Sequence, residues 1–176
     1  AIHQSKEKDF RKTRDKALVL IGFSGGFRRS ELVDVEYEDI EFVSEGVKIF
    51  VKRSKTDQSG EGMTKAIPYF DNKNFCPVKS LKNWIEVSEL KKGKIFNISD
   101  KSVALIIKKY ANYAGLDGHR YAGHSLRSGF ATSTAESGAE ERNIMAMTGH
   151  KSTEMVRRYI KEANLFKNNA LNKIKI

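Results

Sequence analysis

Residues 40–69 read Ile40-Glu-Phe-Val-Ser-Glu-Gly-Val47-Lys-Ile-Phe-Val-Lys-Arg-Ser54-Lys-Thr-Asp-Gln-Ser-Gly-Glu-Gly62-Met-Thr-Lys65-Ala-Ile-Pro-Tyr69. Val47, Ile49 and Val51 alternate with Lys48, Phe50 and Lys52, the period of a half-buried strand. Ile40–Val43 and Lys65–Tyr69 read as two further short strands. Ser54–Gly62 is polar and ends in glycine, so it joins the second and third strands as a hairpin loop. This is the β-rich part of the chain, and everything around it reads as helix. The expected class is α+β, mostly α.

Upstream, Asp15–Phe23 carries Ala17, Leu18, Val19, Leu20 and Ile21 and reads as a buried helix. It ends at a turn rich in glycine (Gly22, Gly25, Gly26), and Ser30–Val33 reads as a short helix. Downstream, Pro77 suits the first turn of a helix running to Val87. Ser99 opens another, with Val103, Ile106, Ile107, Tyr110, Ala111 and Ala114 along one face and Gly115 as terminator. Ser125–Ser137 and Glu140–Met147 are further helices. Thr148-Gly-His-Lys-Ser interrupts the pattern, and Ser152 or Thr153 can cap a last helix through Met155, Val156, Tyr159 and Ile160. Ala163–Ile176 is an amphipathic tail.

The chain has 176 residues, with 32 Lys+Arg against 22 Asp+Glu and a net charge of +10. The excess lies in the second half: residues 89–176 hold 16 basic and 8 acidic residues. Acids gather instead at Glu31, Asp34, Glu36, Glu38, Asp39, Glu41 and Glu45. Such a balance favours a polyanionic partner and places its site away from the acidic stretch. The one cysteine, Cys76, permits no internal disulfide, so a reducing compartment is expected. No apolar run approaches the ~20 residues of a membrane span.

Gly22-Phe-Ser-Gly25-Gly26 has no phosphate-loop lysine and follows a helix, so it reads as a helix-ending turn. His119, His124 and His150 are too scattered for a metal set. Four pieces remain, each weak alone. Arg28 leaves a glycine turn at the mouth of a helix. Lys55 sits in the hairpin loop, with Lys52 and Lys65 as alternatives in the same hairpin. His124 and Arg127 lie three apart, on one helix face. Gly149-His150 is followed nine residues later by Tyr159.

In this order the pieces resemble the tyrosine recombinase, or phage integrase, family. Gly26-Phe-Arg28-Arg-Ser-Glu-Leu32 is similar to its first arginine box. Gly123-His124-Ser-Leu-Arg127-Ser-Gly-Phe-Ala-Thr132 is similar to its second, and Thr148-Gly-His150 with Arg158-Tyr159-Ile160 to its last. The resemblance covers residues 15–162. Thr148 stands where the family often has Leu, and Phe27 replaces a commoner Leu.

The resemblance implies a helical catalytic domain with a small three-stranded antiparallel sheet at one edge. Residues 15–162 would form the core and 163–176 a tail helix within a single catalytic domain, 1–176. The family's N-terminal core-binding domain is expected to be absent from this chain. The implied activity is site-specific DNA strand exchange through a 3′-phosphotyrosine link, with no metal, ATP or other cofactor. Two rivals are a type IB topoisomerase-like nicking and closing enzyme and a catalytically silent DNA-binding module.

The implied roles follow from charge. Arg28 and Arg127 would bind the non-bridging phosphate oxygens through bidentate, charge-assisted hydrogen bonds. Tyr159 would be the nucleophile, and His124 would accept or relay its proton. Lys55 would protonate the departing 5′-oxygen. His150 would bind the phosphate or orient the tyrosine. Glu31 would orient an arginine or remain a surface acid. Arg29, Arg53, His119 and Arg120 are candidate contacts to double-stranded DNA. A tetramer on DNA, with the tail exchanged between protomers, a monomer in free solution and a cytoplasmic, nucleoid-associated setting complete the expectation.

Overall fold

The computed structural model describes residues 9–52, 60–150 and 152–163. In chain order they form α1 (Asp9–Ser24), α2 (Arg29–Asp34), β1 (Ile40–Phe42), β2 (Gly46–Val51), β3 (Met63–Pro68), α3 (Pro77–Val87), α4 (Asp100–Tyr113), α5 (Ser125–Glu136), α6 (Glu141–Thr148) and α7 (Thr153–Ala163). Short 3-10 turns occupy Tyr37–Asp39 and Gly118–Arg120. The α+β, mostly α expectation holds. The tail beyond Ala163, Arg53 and Lys55 lie outside the described residues.

The strands form one antiparallel sheet in the order β1-β2-β3. Val47, Ile49 and Val51 face inward and Lys48 and Phe50 outward, as the alternation predicts. Val47 pairs with Ile67 and Ile49 with Lys65. Strand side chains alternate, so the register that buries Ile67 also buries Lys65.

Within the described residues, α1 already includes Asp9, well ahead of its apolar run, because Arg and Lys are good helix formers and extend it on the solvent side. Its buried face (Ala17, Leu18, Ile21) packs against Val78, Leu81 and Trp84 of α3 in one core that also takes in the sheet. Burying each such side chain contributes roughly 1.5–3 kcal/mol. Polar anchors register the helices within this core. Trp84 Nε1 donates to Ile95 O at 2.8 Å, and Tyr110 Oη of α4 donates to the buried Asp15 at 3.1 Å. Ser99 Oγ caps α4 by accepting from Ser102 N, as its position at the helix start predicts.

A smaller cluster joins the last helices. Ala131 and Ala135 of α5, Ile144 of α6 and Val156 of α7 are buried together, with Tyr159 and Ile160 packed against them. The small alanines let α7 approach α5 closely, which fixes where Tyr159 stands. Among the described residues no helix is long and apolar enough to cross a membrane.

Candidate active site

The turn after α1 aims Arg28. Gly26 has φ +55, and a Cβ there would come 3.0 Å from Phe130 Cδ1 and 3.1 Å from Thr148 Cγ2. Backbone conformation and crowding both select glycine. Phe27 then plunges into the core, leaving Arg28 half-buried at the N-cap of α2. Arg28 Nη1 donates to Glu31 Oε1 at 2.5 Å, and the Arg28 backbone N–H donates to Glu31 Oε2 at 3.0 Å. Glu31 is only 2% exposed, so it is an internal partner rather than a surface acid.

Arg127 comes from the first turns of α5 and is buried. Its Nη1 donates to Gly26 O at 3.1 Å, while its Nη2 is buried with no hydrogen-bond partner. Burial, then the nearby Arg28 charge, push its pKa down to about 10, with Glu31 and Tyr159 opposing. It is therefore cationic at neutral pH. A buried guanidinium with an unspent N–H, beside a second guanidinium, is a ready seat for an oxyanion.

Lys65 is fully buried and within electrostatic range of both arginines. Its Nζ donates to Gly25 O at 2.9 Å and to Met147 O, and it lies 4.9 Å from the centre of the Phe27 ring. Burial lowers its pKa to about 8; Glu31 opposes this, and Arg127 and Arg28 add to it. Lys52 turns elsewhere, bonded to Glu36 at 2.5 Å and Asp39 at 3.0 Å, which lifts it to about 12. The acidic stretch thus neutralises hairpin and neighbouring lysines, Lys94 among them, away from the arginine pair. In the sequence Lys65 stood out only as an alternative to Lys55. Its place on the inward face with Met63 and Ile67 was the signal that it would be buried.

His150 follows the end of α6, where Gly149 adopts φ 64 as the left-handed cap. The buried Thr148 donates its hydroxyl to Ile144 O at 2.6 Å and meets His150 Nδ1 at 2.9 Å. Burial, then Arg127, Arg28 and Lys65, lower the His150 pKa to about 4, against the pull of Glu31. The imidazole is therefore neutral at pH 7.

The half-buried Tyr159 of α7 rests on the small α5–α7 cluster, within electrostatic range of Arg127. His124 is exposed at the N-cap of α5, and its carbonyl accepts from Ser128 N and Oγ. Sharing a helix spacing does not give His124 and Arg127 one environment: the first is at the surface and the second in the interior. The structure thus draws Arg28, Glu31, Lys65, Arg127 and His150 into one charged cluster. Arg29 pairs with Asp100 at 3.2 Å, while His119 and Arg120 are exposed on the 3-10 turn.

The sequence matches the phage integrase family over residues 1–165. The chain belongs to that family. An integrase/recombinase XerD homologue from Selenomonas ruminantium is 50% identical over 173 residues, covering 92% of this chain and 51% of the relative. The XerA tyrosine recombinase of Pyrococcus horikoshii is 29% identical, covering 93% and 55%. The chain thus spans about half the length of these integrase-family relatives. Among solved structures, XerH bound to a palindromic difH substrate in a post-cleavage complex superposes with a TM-score of 0.72 at 18% identity, covering 96% of this chain and 50% of that one. A lambda integrase dimer bound to a core site gives 0.61 at 21% identity, covering 99% and 59%. The fold is that of these recombinases, a helical domain with a small three-stranded antiparallel sheet.

Proposed function

We propose that this domain breaks and rejoins DNA strands in site-specific recombination, with Tyr159 as nucleophile. The observation that carries the reading is the buried, unpartnered Nη2 of Arg127 beside Arg28. Burial makes such an N–H worth far more to a phosphate oxygen than it would be in water. Arg28, held by Glu31, and Arg127 bind the non-bridging oxygens and stabilise the charge that grows on them in the pentavalent transition state. Tyr159 attacks the phosphorus and forms a 3′-phosphotyrosine, and the 5′-oxygen departs with a proton from Lys55. His124 accepts or relays the phenolic proton, and His150 binds the phosphate or orients the tyrosine. A 5′-hydroxyl then attacks the phosphotyrosine and restores the diester. The bond energy is conserved throughout, so ATP is not required.

The partner is double-stranded DNA, as in the XerH and lambda integrase complexes. His119, Arg120, Arg29 and Arg53 add phosphate contacts that position without reading sequence. Assembly as a tetramer on DNA with tail exchange, a single catalytic domain over 1–176 and a cytoplasmic setting belong to the same reading.

The test is a suicide duplex carrying the recombination site, incubated with the full-length protein and resolved in SDS. An SDS-resistant adduct is expected from the wild type and not from Tyr159→Phe, with DNA binding kept. DNA binding without an adduct would favour a silent binding module. Relaxation of supercoiled DNA lacking the site would favour a nicking and closing enzyme.

A further inference from the structure

We infer that Arg29, the neighbour of Arg28, is a positioning residue: held by Asp100, its side chain lies across Gly123 and fixes the turn that presents His124. The inference rests on the strand-cleavage reading above for what His124 does. How His124 is held rests on packing geometry.

Ala122-Gly123-His124-Ser125 is a tight turn ahead of α5. The Ser125 backbone N–H donates to Ala122 O at 3.0 Å, and the Ala122 N–H donates to Ser125 Oγ at 2.9 Å. The His124 carbonyl accepts from Ser128 and so joins the turn to α5. These bonds shape the turn, but they do not tie it to the segment that carries Arg28.

Arg29 supplies that tie. Gly123 is buried, and a Cβ there would stand 2.5 Å from Arg29 Cδ and 3.1 Å from Nε and Nη1. The φ of Gly123 lies outside the left-handed region, so its backbone conformation does not call for glycine. Room for Arg29 calls for it instead. The side chain of Arg29 fills the space that any larger residue at 123 would need.

Asp100 keeps Arg29 in that place, with Oδ2 3.2 Å from Nε. Asp100 is the first residue of α4, next to the Ser99 cap, where the helix dipole favours an acid. Both side chains are 39% exposed, so the ion pair adds little stability by itself. Its effect is selective: it holds one arrangement of a long side chain over Gly123.

Arg28 is the N-cap of α2 and Arg29 its first residue. The two arginine boxes therefore meet in both directions. Arg127 reaches back to Gly26 O, and Arg29 reaches forward to Gly123. The phosphate clamp and His124 are thus set relative to one another. This task is separate from the phosphate contact proposed for Arg29 above. A phosphate contact shows in DNA affinity, whereas positioning shows in the rate on DNA already bound.

The experiment is single-turnover cleavage of a saturating suicide duplex by the full-length protein, with duplex affinity and urea midpoint measured alongside. Gly123→Ala displaces Arg29 and is expected to slow cleavage about tenfold or more, with the affinity unchanged. Arg29→Ala is expected to slow it as well. The Arg29→Ala, Gly123→Ala double variant is expected to be no slower than Arg29→Ala alone, because the added Cβ then has room. In a His124→Ala background Gly123→Ala is expected to cost no further rate, since it acts through His124. Asp100→Asn frees Arg29 and is expected to slow cleavage severalfold.

Gly123→Ala at the wild-type rate overturns the inference, as does a double variant whose loss is the product of the two single losses. A further loss in the His124→Ala background also overturns it. So does Asp100→Asn at the wild-type rate, which decides the matter where Gly123→Ala does not fold. A wild type that forms no adduct would sink the strand-cleavage reading instead. The packing would still be read from the urea midpoints, which Gly123→Ala is expected to lower only while Arg29 is present. An equal drop in the Arg29→Ala background would overturn it.

Discussion

Glu31 grips Arg28 twice, taking its guanidinium on one carboxylate oxygen at 2.5 Å and its backbone N–H on the other at 3.0 Å. One acid thereby fixes both the direction of the side chain and the start of α2. Glu31→Gln keeps the shape but loses the charge that pairs with Arg28. Single-turnover cleavage is expected to fall about tenfold to a hundredfold, the scale of a small misplacement of a positioned group. A rate within twofold of wild type would remove Glu31 from the orientation of Arg28.

Arg127 offers a planar fork whose Nη1 is spent on Gly26 O and whose Nη2 is unspent. A lysine supplies a point charge and cannot serve the carbonyl and a phosphate in that geometry. Arg127→Lys is therefore expected to cleave about a hundredfold or more slowly, close to Arg127→Ala. Rescue by lysine would mean that charge alone is needed.

His150 has a folded pKa of about 4 against the ordinary 6.5. Between those values the unfolded chain binds more protons than the folded one. The stability linked to this group is complete above pH 6.5 and is lost as the pH falls towards 4. Urea midpoints measured across that window are expected to drop less in His150→Gln than in wild type. Parallel curves would show that His150 does not titrate as its surroundings dictate.

Lys65 titrates in the other window. Its folded value of about 8 lies below the ordinary 10.5, so its buried charge costs stability below pH 8 and is relieved as the pH rises towards 10.5. Lys65→Met is expected to lose this rise in stability on the alkaline side. It also loses the bonds to Gly25 O and Met147 O, which tie together the turns bearing Arg28 and His150. Adduct formation at neutral pH is therefore expected to slow about tenfold. Unchanged cleavage in the Met variant would make Lys65 a packing residue only.

The exposed Arg120 is a test of the wider DNA surface. Arg120→Gln is expected to weaken binding equally on cognate and random duplexes. It should also flatten the logarithmic salt dependence by about 0.9, one phosphate contact. An unchanged slope in a salt titration would take Arg120 off the duplex.

Much of the fold was legible because it follows local rules. The alternation through Val47, Ile49 and Val51 marked the inward face of β2, and the three-four spacing from Val103 to Ala111 marked the inner face of α4. Pro77, Ser99 and Gly115 marked helix ends through backbone chemistry. The helix α1 extends upstream of Asp15, to Asp9 at least, because an apolar run reports burial and the turns before it are polar helix on the solvent side. In the candidate site, residue types and order were visible, and strand alternation put Lys65 on the inward face with Ile67. The partners were not visible: Lys65 bonds Gly25 O and Met147 O, while Lys52 pairs with Glu36 and Asp39.

By itself, the amino-acid sequence determined the elements, the order of the chemical groups and the match to one family. These depend on periodicity, turn chemistry and composition, all of which act over a few residues. Tertiary structure decided which groups meet and in what charge state. Gly26 O receives Arg127 from a segment 101 residues away, and Met147 O receives Lys65 across 82 residues. Such contacts exclude water, and water exclusion is what lowers Lys65 and His150 and leaves Arg127 with an N–H to give. That property belongs to the folded interior and to no stretch of chain read alone.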